Sequence, residues 1–171
     1  MHRVMIVGPC GSGKSTLSFE LARRLRLPLI HMDQLNWQPG WVESPDDVLL
    51  ARVEEAASGE RWIIEGNYGG TMAPRLARAD TVIYLDYPVP LCFWRMLKRV
   101  WHYRGQVRPD MTEGCPERFD LEFMWYLANW SRGPRQRTEA KLRGQEAKVI
   151  RLRHPKALEA WLDRIPLAGA S

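Results

Sequence analysis

Gly8-Pro9-Cys10-Gly11-Ser12-Gly13-Lys14-Ser15-Thr16 constrains the fold more than any other stretch of this chain. It follows a short apolar run, Val4-Met5-Ile6-Val7, and leads into a helical pattern with Leu17, Leu21 and Leu25 on one face. A glycine, four residues and then Gly-Lys-Ser, set between strand and helix, is the P-loop pattern. Its glycines let the backbone curl so that successive N–H groups point at phosphate oxygens. The helix starting near Lys14 adds its positive dipole end and unpaired amides. In that frame Lys14 reaches the β- and γ-phosphates and Ser15 places its hydroxyl on Mg²⁺. Gly8 opens the loop, Pro9 has no N–H and only shapes it, and residues 10–16 do the donating. The ligand expected here is Mg²⁺–ATP.

The remaining residues must build a sheet for that loop to cap. With 171 residues, 45% apolar and 26% charged, there is room for one domain with a sizeable core. The basic-then-apolar start is too short for a secretory leader and runs straight into the glycine loop. Asp86 interrupts the best apolar run, so no membrane span and no membrane partner are expected. Cys10, Cys92 and Cys115 are isolated and odd in number, which points to reduced thiols in a cytoplasm, not to a zinc site. A net charge of +5 fits polyphosphate binding better than nucleic acid once a P-loop is present.

Along the chain, strands are expected at about Arg3–Val7, Leu27–Met32, Arg61–Glu65, Thr81–Leu85 and Lys148–Leu152. Between them lie helical patterns: one ending near Arg26, one from Ser44-Pro45 to a Gly59 cap, a short one carrying Arg75 and Arg78, and a long one over Pro90–Tyr103. In the long helix Leu91, Trp94, Leu97 and Trp101 are expected to face the core, with Arg95, Lys98, Arg99 and His102 outward. Gly105–Arg118 reads as loop. Leu121–Trp130 reads as a helix covered on most sides, and Lys156–Arg164 as the last helix. Alternation of this kind predicts an α/β domain with a parallel sheet and helices on both faces. Ligands in such sheets bind at the carboxyl ends of the strands. Lys14, Asp33, Glu65 and Asp86 all fall at such ends.

Beyond the P-loop, the segments His31-x-Asp33, Trp37, Gly40-Trp41, Ile63-Ile64-Glu65-Gly66-Asn67-Tyr68, Leu85-Asp86, Arg108-Pro109-Asp110-Met111 and Gly114-Cys115-Pro116-Glu117 resemble the DNA topology modulation (FlaR-like) proteins, a branch of the adenylate-kinase-like P-loop kinases. The resemblance spans essentially the whole chain. It implies a P-loop NTPase of the nucleoside-monophosphate-kinase type: a three-layer fold, a five-stranded parallel sheet of order 2-3-1-4-5, and a lid at about residues 104–137.

The same resemblance implies roles. Asp33 would orient or deprotonate the acceptor or hold a Mg²⁺-bound water, and Glu65 would serve Mg²⁺ together with Ser15. Asp86 would either orient the metal shell or cap the next helix. Trp37, Asn67 and Tyr68 would line the acceptor pocket, and Arg75 would grip an acceptor phosphate. Gly69-Gly70 would permit a tight turn, while His31 is read as a core histidine. Of the lid arginines 99, 104, 108, 132, 135 and 137, Arg99, Arg132 and Arg135 are the favoured catalytic cations. Arg153-His154-Pro155 lies where the adenine-packing loop belongs, which makes Arg153 a nucleotide contact. The function expected is an ATP-dependent phosphotransferase acting on a small acceptor, a nucleotide or nucleoside. A simple ATPase and an ATP-binding, DNA-associated regulator are the alternatives. Direct nucleic-acid binding is disfavoured because the aromatics of the long helix are expected to be buried. Monomer and homodimer remain open.

Overall fold

In a computed structural model describing residues 1–166, the parallel sheet has five strands: β1 (Arg3–Val7), β2 (Leu29–His31), β5 (Trp62–Glu65), β6 (Thr81–Leu85) and β7 (Val149–Leu152), in the order β2-β5-β1-β6-β7. Counting only these strands, that is 2-3-1-4-5, and every pairing is parallel. Their side chains alternate across two apolar layers. Val4 and Ile6 of β1 enter one with Leu17 and Leu21 of α1 (Lys14–Leu25) and Cys92 and Met96 of α5 (Val89–His102). Met5 and Val7 enter the other with Leu49 and Val53 of α3 (Asp46–Ser58) and Met72 of α4 (Met72–Arg78). A strand buried on both faces needs apolar residues at successive positions, which is what β1 carries from Val4 and β6 from Val82.

The register brings strand ends together. His31 pairs with Glu65, Ile6 with Glu65, and Leu85 with Leu152, so the residues that follow these strands share one edge. Elements unforeseen in the sequence sit above that edge. Directly after β2 comes α2 (Met32–Asn36), then a hairpin of β3 (Trp37–Gln38) and β4 (Val42–Glu43). Between β6 and β7 lie α5, α6 (Leu121–Ala128) and α7 (Pro134–Leu142), and α8 (Pro155–Leu162) follows β7. No helix among the described residues is long and apolar enough to cross a membrane.

Several local expectations change. Ser44 does not cap α3; its hydroxyl accepts from Arg52 at 3.0 Å, and Pro45 takes the cap position. Gly59 is extended at φ −62°, so α3 ends without a left-handed cap. The face of α5 is turned from the one expected. Cys92 and Met96 are buried, while Trp94 and Trp101 are 57% and 83% exposed and Lys98 lies over the Trp94 ring. Both faces of this helix are apolar enough to pack, and contact with the P-loop selects the one bearing the small Cys92. Helix α6 is not covered either: Leu121 and Trp125 are 72% and 71% exposed.

Candidate active site

The P-loop owes its shape to close approaches that exclude side chains. At Gly8 (φ 150°) a Cβ would meet the Leu85 carbonyl oxygen at 2.5 Å, and at Gly11 (φ 74°) the Cys92 carbonyl oxygen at 2.1 Å. The loop is therefore wedged between the end of β6 and the first turn of α5. Asn67 pins its entry: the Gly8 N–H donates to Oδ1 at 3.0 Å, and Nδ2 donates to the Gly8 carbonyl at 2.8 Å. Lys14 folds back over the loop and donates to the Pro9 carbonyl at 3.2 Å.

A cleft of about 1370 Å³ opens above the loop. Residues 10–16 of the P-loop line it, as do Asp33, Trp37, Glu65, Asn67, Tyr68 and Arg99. These expected site residues thus share one cavity. Gly8 and Arg153 are not in its wall. Gly8 has its N–H committed to Asn67, and Arg153 is exposed just past β7. After β7 it is Pro155, the first residue of α8, that lines the cleft, as Arg95 and Tyr87 do. Arg95 packs over the Tyr87 ring at 5.8 Å. A flat heteroaromatic ring suits a slot of this kind, where cation–π and apolar contacts combine.

At the metal end, Ser15 Oγ donates to Asp110 Oδ2 at 2.7 Å, with Glu65 Oε2 at 3.2 Å. His31 approaches the same Glu65 oxygen through Nδ1 at 2.8 Å. A carboxylate can only accept, so Nδ1 carries the proton and His31 holds Glu65 in place. The core histidine is thereby a support for the site. Burial alone would raise the Asp110 pKa, but the Arg108 charge and the Ser15 hydroxyl hold it below the usual value. Ser15, Glu65 and Asp110 offer hard oxygen donors, the type Mg²⁺ takes, in an open set that leaves other positions to phosphate and water. Among the described residues no three His, Cys, Asp or Glu side chains form a metal cage of their own.

Asp110 is a site residue for which the sequence suggested no particular role, and Arg108 is a lid-arginine candidate outside the favoured three. Arg108 is buried, donates to Asp110 at 2.9 Å, pairs with Glu117 at 2.8 Å, and lies 3.9 Å from Asp33. Arg99 is drawn into the same network, 3.0 Å from Glu117 and 3.2 Å from the Cys10 sulfur. The loop carrying these groups is fastened to the β3–β4 hairpin. Gly40 N–H donates to the Gly114 carbonyl at 3.0 Å, and Trp41 Nε1 to the Pro116 carbonyl at 3.2 Å. Trp37 and Trp41 pack edge-to-face at 5.3 Å, so the pair forms one wall of the cleft.

On the acceptor side, Tyr68 donates to Asp33 Oδ1 at 2.7 Å. The Asp33 side chain remains 37% accessible from the cleft. Enclosure by protein, and then the Glu65 charge, raise its pKa above the usual carboxylate value against the pull of Tyr68, Arg108 and Lys14. Tyr68 is in the left-handed region at φ 36°. Arg75 stabilises that conformation and corrects the role expected of it. It is completely buried, and its guanidinium donates to the carbonyls of Gly66, Asn67, Tyr68 and Thr71 at 2.7, 2.7, 3.1 and 3.1 Å. With its hydrogen-bonding capacity directed at the backbone, it has nothing to offer an acceptor phosphate. Asn67 likewise holds the P-loop with its amide.

Two of the favoured lid arginines also lie elsewhere. The Arg135 fork grips Asp86 with two hydrogen bonds of 2.9 Å. Arg151 grips it as well, at 2.9 and 2.7 Å, which removes Asp86 from both roles expected of it. Arg132 lies exposed in a short 3₁₀ turn, Trp130–Arg132, outside the cleft wall.

No family model matches the chain, and no curated protein matches it by sequence. Solved structures do. Shikimate kinase from Acinetobacter baumannii in complex with shikimate is similar at a TM-score of 0.59 and 17% identity, over 95% of this chain and 90% of that one. A gluconokinase from Sinorhizobium meliloti gives 0.56 and 20%, over 98% and 90%. A sugar kinase from Janibacter gives 0.53 and 20%, over 100% and 99%. At these identities the likeness is one of fold, and it establishes the P-loop NTPase architecture expected from the sequence.

Proposed function

We propose that the chain is a P-loop kinase that transfers the terminal phosphoryl group of Mg²⁺–ATP to a hydroxyl of a small molecule. One observation carries this reading: Asp33 stands in the cleft wall opposite the P-loop, fixed by Tyr68, with a raised pKa and a buried arginine 3.9 Å away. A phosphate acceptor is already ionised at neutral pH and needs no base. An alcohol does. Asp33 therefore favours a hydroxyl acceptor, which keeps a nucleoside or sugar-like compound and disfavours a nucleoside monophosphate. The fold neighbours named as kinases of shikimate, gluconate and sugars support the same class.

In this mechanism Asp33 accepts the hydroxyl proton as the acceptor oxygen attacks the terminal phosphorus. The bond from that phosphorus to the bridging oxygen breaks, and ADP leaves with the electron pair. Lys14 and the P-loop amides hold the phosphate chain, and Arg108 faces the transferring group from the Asp33 side. Ser15, Glu65 and Asp110 would hold Mg²⁺, which when bound neutralises phosphate charge. Residues 104–137 act as the lid, since Arg99 and Asp110 reach the P-loop from or beside that segment. The base lies in the slot between Arg95, Tyr87 and Pro155. The finer likeness to DNA topology modulation proteins rests on the sequence motifs alone. The exposed Trp94–Lys98–Trp101 ridge removes the argument made against nucleic acid from the sequence, because stacking platforms are built of such residues.

The test is incubation with terminally labelled ATP and a panel of nucleosides, nucleotides and sugars, beside Lys14→Ala as a control. Label on an organic acceptor, reduced roughly hundredfold or more in the variant, is expected. Label released only as free phosphate would replace the kinase with an ATPase. DNA affinity that rises with ATP and falls steeply with salt would favour the regulator.

A further inference from the structure

We infer that the acceptor carries an anionic group, a carboxylate or a phosphate, which Arg137 and Lys141 hold in a second cavity beside the cleft. That this ligand is the acceptor rests on the kinase reading above. The cavity measures about 460 Å³. Tyr68, Gly69 and Gly70 form one wall, and Arg137, Thr138 and Lys141 of α7 another. Asn67, Tyr68 and Tyr126 line both this cavity and the main cleft. Since the Tyr68 hydroxyl bonds to Asp33, a molecule offering a hydroxyl to Asp33 can pass along Tyr68 into the second cavity.

Three features indicate an anion. No carboxylate lines the cavity. Along α7, Arg135 is neutralised by Asp86 and Glu139, whereas Arg137 and Lys141 have no carboxylate within 4.0 Å among the described residues. Their spacing of four places both on one helix face, where like charges repel. An anion between them removes that repulsion. Finally, Gly69 and Gly70 are not required by the turn, because neither has a positive φ. A Cβ at Gly70 would meet nothing within 4 Å, and one at Gly69 would meet only the Lys141 stem at 3.8 Å. Their lack of side chains instead keeps this wall low and its backbone approachable, as a ligand site requires. The chemistry is that of a hydroxylated acid: a sugar acid or a phosphorylated sugar.

The full chain, loaded with Mg²⁺–ADP to fill the P-loop, would be titrated calorimetrically with matched pairs: gluconate and glucose, glycerate and glycerol, ribose 5-phosphate and ribose. At least one acid is expected to bind roughly tenfold or more tighter than its neutral parent. The carboxylate and phosphate pairs separate the two sources of charge. Arg137→Gln with Lys141→Gln is expected to erase that advantage without changing ADP affinity, and Arg137→Glu to reverse it. Thermal melts guard against misfolding; both side chains are exposed, so the fold should persist. The inference is overturned if the parents bind as well as the acids, if the preference survives in the double variant, or if no acid binds up to about 50 mM. An acid that binds through these cations but never receives label would sink the kinase reading and leave the site standing. Label transfer to a neutral acceptor, indifferent to both substitutions, would do the opposite.

Discussion

Glu65 and Asp86 begin alike and end differently. Each stands at the carboxyl end of an apolar strand of the same parallel sheet, Glu65 as the last residue of β5 and Asp86 just after β6, and they are 7% and 8% exposed. Glu65 is met by the His31 ring, with the Ser15 hydroxyl 3.2 Å away, and no arginine lies within 4.0 Å of it among the described residues. Asp86 is met by two arginine forks. A carboxylate with no guanidinium on it keeps lone pairs available to a cation that arrives later, whereas one already paired with two guanidiniums does not. Position at a strand end therefore identifies a candidate, and the charge of its neighbours decides whether it serves chemistry or stability. Asp33 belongs with Glu65, since its nearest donor is the Tyr68 hydroxyl and its face is open to the cleft.

The largest effect expected is at Asp33. Asp33→Asn keeps the shape and loses the base, so transfer should fall about a thousandfold with ATP affinity intact. Single-turnover transfer and nucleotide titration on the same variant would check this. A variant that transfers normally, or that merely loses ATP, would move Asp33 out of the role of base. Glu65→Gln comes next. Loss of one oxygen ligand or metal-ordering group should cost roughly ten- to a hundredfold in Mn²⁺–ADP affinity, read by electron paramagnetic resonance. Its unfolding midpoint should scarcely move.

Asp86→Asn should behave in the opposite way. Removing the acid leaves two guanidiniums facing each other without their counter-charge. Such a loss in a fully buried pair costs about 3–5 kcal/mol, but here the arginines are 32% and 39% exposed, so about 2 kcal/mol is the better expectation. The melting temperature should drop by about 5 °C, with Mn²⁺–ADP affinity unchanged. If Asp86→Asn lost metal affinity while Glu65→Gln lost stability, the assignment of the two carboxylates would be reversed.

What could be read in the chain follows the range of the interactions involved. The P-loop is local, because its glycines, lysine and flanking periodicities lie within about twenty residues, and the structure keeps β1 and the start of α1 where the pattern puts them. The five strands were legible for the same reason, since five apolar runs alternate with helical ones, whereas their order came from the family resemblance. Asp110 was not, because its partner Ser15 lies 95 positions away and no local pattern foretells such a contact. The Arg108-Pro109-Asp110 segment did stand out as a motif, and an acid two residues from an arginine in that loop is the signal that could have flagged it. Arg75 misled for a related reason. An arginine after a glycine-rich turn reads as a phosphate ligand, yet this turn contains a left-handed Tyr68 and several carbonyls that need donors. In α5 the apolar residues run round most of the helix, so periodicity alone could not show that Trp94 and Trp101 would be left outside.

The smallest effect expected is also the one that separates the two classes of carboxylate most directly, because it concerns sign. Enclosure and the Glu65 charge raise the Asp33 pKa above its ordinary 3.8. Its ionisation therefore costs stability, and that cost appears as pH rises through the folded pKa. For Asp86, burial alone would raise the pKa, but the hydrogen bonds and charges of Arg135 and Arg151 hold it below 3.8. Its ionised form therefore contributes stability above the unfolded pKa, and this is lost as pH falls through the folded value. Urea unfolding of the wild type and both Asn variants at about pH 2.5 and pH 7 would compare them. Asp33→Asn should be slightly more stable than wild type at the higher pH and level with it at the lower. Asp86→Asn should be less stable at the higher pH, with the gap narrowing as acid is added. The transfer rate adds an independent reading of Asp33, with an acid limb of unit slope whose inflection lies above the ordinary carboxylate value. An inflection at or below 3.8 would place the base in open solvent and return Asp33 to the class of ordinary surface carboxylates.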